Sequence, residues 1–185
     1  MFPVLLAAVV TTGIVGAHPD ATNASVSPSA HCEALAERLR IAPVLRPVVI
    51  DMCQRAPTFR RQVVRIAGQP GLDVTISPGL FPSTGRTRAR TALTRIDGRL
   101  RTAAIEVPAG DSMTLVELVA HEFEHVLEQI DGVDLAQWVG RSGVYRVGTS
   151  DRDGPIETER ARRVGRLVAG EYGAATARIT AIRTR

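Results

Sequence analysis

Hydrophobic and polar positions alternate in two rhythms along this chain. From Cys32 to Arg40 the spacing is helical, with Leu35 and Leu39 on one face. After Pro43 and Pro47 a second short helix is predicted over Val48–Gln54. A third is predicted over Thr58–Ala67, where Phe59, Val63 and Ile66 share a face, with Thr58 as N-cap and Gly68 as stop. The rhythm then changes. Leu72–Ile76 alternates like a strand, and Arg88–Ile96 and Leu100–Val107 flank an Asp97-Gly98 pair, a strong hairpin signal. Ala103–Val107 reads as an edge strand able to pair an extended peptide. Helical spacing returns over Thr114–Ile130, ended by Gly132. Asp134–Val139 reads as a short helix, and Gly140–Pro155, with its several glycines, as a loop. A last helix is predicted over Ile156–Tyr172. Helices, a small antiparallel sheet with a β-hairpin, then two long helices describe an α+β domain.

The ends carry other signals. Residues 1–17 lack charge, are mostly apolar or small, and end in Val15-Gly16-Ala17, as a signal peptide does. Residues 18–31 read as a flexible leader, 32–174 as the domain, and 175–185 as a basic tail. The apolar run is short for a membrane span, so none is expected after cleavage. A secreted or cell-envelope location follows. In that compartment the two cysteines, Cys32 and Cys53, are expected to form a disulfide.

Charge adds little. All the basic residues are arginine, and the net charge is +4. An anionic polymer is one conceivable partner. The arginines are scattered along the sequence, however, and aromatic residues make up only 4%, which argues against nucleic acid.

One stretch carries chemistry. His121-Glu122-Phe123-Glu124-His125 fits H-E-x-x-H. Residues four apart lie on one helix face, so two imidazoles can reach one zinc ion. Zinc acidifies a water molecule, and a neighbouring carboxylate takes its proton. On a helical wheel Glu122 and Glu124 flank the histidines symmetrically, and the wheel does not choose the base between them. For a third ligand Glu157 is the best choice, because it shares a face with Ala161, Val164 and Val168. Glu159 falls on the charged side with Arg162, Arg163 and Arg166. Asp131 and Asp134 look more like helix-end and turn residues. Glu117 and Glu128 are candidates to orient an imidazole. Tyr145 is a candidate to steady an oxyanion.

His121-Glu122-x-x-His125 followed by a glutamate on a later helix resembles the gluzincin class of zinc metallopeptidases. Three runs, Pro57–Arg60, Val119–Glu128 and Ile156–Arg162, are also similar to a group of exported bacterial zincin-like proteins. The resemblance implies a zincin-like fold over roughly Cys32–Tyr172. It makes Glu122 the general base, and His121, His125 and Glu157 the ligands of Zn2+. Two features depart from the class: a longer gap between His125 and Glu157, and Ala161 where many members carry Asp. The expected activity is hydrolysis of a peptide or protein substrate. The alternative is a zinc-binding envelope or adaptor domain that does not hydrolyse.

Overall fold

The structure, a computed structural model, describes residues 28–81, 89–108, 112–133, 144–147 and 158–184. The leader's first ten residues, the expected signal peptide and the expected helix at Asp134–Val139 lie outside them.

The chain is α+β. In order it forms α1 (Pro28–Ala36), β1 (Arg40–Ile41), α2 (Arg46–Arg55), α3 (Pro57–Ala67), β2 (Asp73–Pro78), β3 (Arg90–Ile96), β4 (Arg99–Val107), α4 (Ser112–Ile130), β5 (Val144–Val147) and α5 (Glu159–Arg183). The strands make one sheet in the order β1-β2-β4-β3-β5. Val74, Ile76, Leu93, Ala103, Ile105 and Val107 alternate onto its buried face. There they meet Phe59, Val63, Ile66, Val116, Val119 and Phe123 from the helices. Phe59 and Phe123 pack with ring centroids 5.0 Å apart. Among the described residues, no helix is long and apolar enough to cross a membrane.

The sheet is mixed, where an antiparallel one was expected. β2 runs parallel to both β1 and β4, and β3 is antiparallel to β4 and β5. The reason lies in the connections. α2 and α3 intervene between β1 and β2, and a helical crossover returns the chain in the same direction. The hairpin itself forms as predicted, with Asp97 and Gly98 both at positive φ (51° and 73°) in the turn. Ala103–Val107 is not an edge. β4 has β2 on one side and β3 on the other, so its backbone groups are already paired. β1 and β5 form the rims, and β5 lies within the stretch expected to be loop.

Helix boundaries also shift. α1 starts at Pro28, inside the expected leader. α3 starts at Pro57, so Thr58 is not its cap. Instead Glu171 of α5 accepts the Thr58 backbone N–H at 2.8 Å and its hydroxyl at 2.7 Å. A carboxylate at a helix N-terminus suits both the unpaired amides and the macrodipole. α5 runs on to Arg183, through most of the expected tail. Ala-rich sequence favours this continuation, and Arg55 donates to the Thr176 hydroxyl at 3.0 Å. The expected disulfide joins Cys32 of α1 to Cys53 of α2. Closing that loop stabilises the fold by roughly 3 kcal/mol in the chain-entropy model.

Candidate metal centre

α4 positions the histidines. Val116, Val119, Ala120, Phe123, Val126 and Leu127 are all buried, because the helix lies on β3 and β4 with α3 and α5 against it. Its end is set by Gly132, at φ 81°. The Gly132 N–H donates to the Gln129 carbonyl and the Val133 N–H to that of Glu128, the paired bonds of a glycine-terminated helix.

His121 and His125 stand one turn apart with their rings at 82° and centroids 4.7 Å apart. Their Nε2 atoms face each other at 3.1 Å. The other nitrogen of His125, Nδ1, lies 2.9 Å from Glu128 Oε2. A carboxylate can only accept, so Nδ1 carries the hydrogen, and whenever the ring is neutral Nε2 keeps its lone pair. Burial alone pushes the Glu128 carboxyl up. Hydrogen bonds from His125 and Thr158, with the charges of His125 and Arg160, outweigh burial and hold it below the usual carboxylate range. Its second oxygen accepts from the Thr158 hydroxyl at 2.6 Å. That hydroxyl in turn accepts the Ala161 N–H at 3.0 Å, capping α5. Of the two expected orienting carboxylates, Glu128 therefore takes the role, while Glu117 is exposed beside α5.

The two glutamates of the motif have different surroundings. Glu122 faces the sheet, and its Oε2 accepts from the Thr91 hydroxyl of β3 at 2.6 Å. Glu124 faces α3 and α5. Gln62 donates to its Oε2 and Arg160 to its Oε1, both at 2.6 Å. Gln62 also donates to the Ala120 carbonyl at 3.0 Å. Glu124 thus ties three helices together, and both its oxygens are engaged there.

α5 approaches α4 closely beside His121. A Cβ at Gly165 would lie 2.9 Å from the Glu117 carbonyl oxygen and 3.3 Å from His121 Cβ. Ala161 and Val168 are buried on the same face of α5, as expected, and Glu159 is exposed. Glu157 and Asp134 lie outside the described residues. Asp131 is bound by Arg65 and Arg160 instead of turning to the histidines. Tyr145 sits on β5 in register with Leu93, not in a loop; its side chain lies outside the described part.

The donor set fits a zinc ion in its first two positions. Two nitrogens each about 2.0–2.1 Å from one tetrahedral ion are roughly 3.3 Å apart, and these are 3.1 Å apart. The hydrogen bond from Nδ1 to Glu128 is the usual support of a metal-binding histidine. Among the described residues, no group of three His, Cys, Asp or Glu side chains is placed to hold a metal.

Thr91, Gln62, Arg160, Thr158 and Gly165 were not read from the sequence as site residues. Gly165 is a glycine inside a helical pattern, but so is Gly170, which has open space beside it, so the pattern alone does not single out the close approach. The others act through contacts distant in sequence. The chain matches no family model, no curated protein and no solved structure.

Proposed function

We propose that this protein is an exported zinc-dependent peptidase. The observation that carries the reading is the pair of facing Nε2 atoms, with Glu122 on the same helix and Glu128 behind His125. His121 and His125 would hold the ion, with Glu157 as third ligand. Thr158, the residue after Glu157, is bonded to Glu128 of α4. When bound, zinc supplies Lewis acidity towards water and towards a carbonyl oxygen.

The chain's own residues supply the rest. Glu122 accepts and then returns a proton. Its hydrogen bond from Thr91 fixes the carboxylate against β3. Glu124 is committed to Gln62 and Arg160, which supports Glu122 over Glu124 as the base. Thr158 and Glu128 hold His125 in one tautomer and one orientation.

The test is digestion of a mixture of unstructured peptides by the zinc-loaded mature chain, read by mass spectrometry. Cleavage products are expected from the wild type and none from Glu122→Gln. Products that persist in Glu122→Gln would refute the mechanism. Zinc binding without any cleavage by the wild type would favour the non-hydrolytic domain.

A further inference from the structure

A cleft lies at the C-terminal end of α4. It encloses about 420 Å³ between the α3–β2 connection, the hairpin and the last turn of α4. Arg95, Arg99 and Arg101 line it together with Gln69 and Gln129. These arginines are scattered by alternation in the sequence, and the fold gathers them. The register of β3 on β4 shifts after Thr94: Thr94 pairs with Thr102, but Arg95 with Leu100. Arg101 is the extra residue of this bulge, and a bulge re-aims its side chain. The guanidinium lies against the α3–β2 connection, with Nη1 2.9 Å from the place a Cβ would take at Gly71. Gly71 itself has φ 71°, so its missing side chain serves both the turn and Arg101.

None of the three arginines has a carboxylate partner among the described residues. Elsewhere arginines near a carboxylate pair with it, as Arg65 and Arg160 do with Asp131 and Arg90 does with Glu106. Asp131 is therefore already engaged, and Asp97 forms no ion pair with the hairpin arginines. Arg95 has a structural role. It donates to the Gln129 carbonyl and side-chain oxygen and to the Gly98 carbonyl, a cation closing a helix C-terminus. That role does not extend to Arg99 and Arg101, whose side chains make no hydrogen bond among the described residues. Arg101 is half-buried, and a half-buried cation without a counter-charge carries a desolvation cost that an anion would offset.

We infer that this cleft binds a phosphate-type oxyanion between Arg99 and Arg101, with Arg95 adding its charge. The planar guanidinium forks match the oxygen spacing of phosphate. The anion is either free phosphate or a phosphate carried on a lipid headgroup. The inference is independent of zinc.

Titration calorimetry of the full mature chain with inorganic phosphate, at constant ionic strength and with a metal chelator present, tests it. Saturable binding is expected for the wild type. It should weaken at least about tenfold in Arg99→Ala/Arg101→Ala and stay unchanged in Arg178→Ala/Arg183→Ala, which removes the same charge elsewhere. Arg99→Glu, a single change on the exposed hairpin, should abolish binding and guards against misfolding of the double variant. Co-sedimentation with phosphatidylcholine vesicles with and without phosphatidic acid separates the sources. Arginine-dependent capture assigns a lipid phosphate, and phosphate binding without capture assigns the free ion. Binding of neither probe by the wild type, or equal binding by Arg99→Glu, would overturn the inference.

Discussion

Thr158 donates its hydroxyl hydrogen to Glu128 at 2.6 Å, and through Glu128 the start of α5 is tied to the imidazole of His125. One hydroxyl both caps a helix and holds the carboxylate that orients a candidate ligand. Thr158→Val removes both bonds while keeping the shape. It should lower zinc affinity about 10-fold or more, within the 10–100-fold range for such supporting groups, and stability by about 1 kcal/mol. Glu128→Gln should lower zinc affinity similarly without loss of the α5 cap. Competition with a zinc-sensitive dye measures the first quantity and urea melts the second. Unchanged zinc affinity in both variants would detach Glu128 from the metal site.

Glu122 and Glu124 should separate cleanly. Glu124→Gln leaves one oxygen for the two donors Arg160 and Gln62 and removes the charge that faces Arg160, and should cost about 2 kcal/mol, discounted because Arg160 is partly exposed. Its activity per folded molecule should remain. Glu122→Gln retains an oxygen for Thr91, so its stability should stay within about 1 kcal/mol while hydrolysis is lost. Chemical denaturation beside a peptide-cleavage assay reads both. The reverse pattern would assign the base to Glu124.

Gly165 and Gly170 are both helical glycines of α5, with opposite surroundings. A Cβ at Gly170 meets nothing within 4 Å, so Gly170→Ala should stabilise by up to about 1 kcal/mol through helix propensity. At Gly165 the obstacle is backbone, the Glu117 carbonyl. Gly165→Ala should push α5 from α4, destabilise by about 1–3 kcal/mol, and weaken zinc binding by moving His121. Melting temperatures of the two variants, compared with the wild type, test the contrast.

Tyr172 predicts a loss of stability at alkaline pH. Burial first, then its hydrogen bond to Asp51 at 2.5 Å and the Asp51 charge, raise the phenol above its ordinary value, against a smaller opposing effect of Arg55. A group whose folded pKa is raised is held in its protonated form. Its contribution is therefore complete below the unfolded value of about 10 and declines as pH rises through the folded value. Wild type should exceed Tyr172→Phe in stability at pH 8, and the difference should shrink as pH rises above about 10. A constant difference from pH 8 to 11 would contradict the assignment.

The parts legible in the sequence are those encoded locally. The periodicity of Leu115 to Leu127 locates α4, Asp97-Gly98 locates the hairpin turn, and the cysteine pair its disulfide. The parts that escape it depend on partners far along the chain. β1 has two residues, too few for any pattern, yet it sets a rim of the sheet. That β4 is interior follows from β2 pairing along it, which no composition of Ala103–Val107 reveals. The wheel left Glu122 and Glu124 equivalent, and Thr91, Gln62 and Arg160 distinguish them. The arginine cleft has the same origin, in a bulge visible only once β3 and β4 are paired.

Metal content tests the central claim most directly. Emission spectrometry on the purified mature chain, beside His121→Ala and Glu157→Ala, should find about one zinc per wild-type chain and far less in both variants. Retention in Glu157→Ala alone would move the third ligand elsewhere. A wild-type chain that takes up no zinc when zinc is supplied would contradict the account.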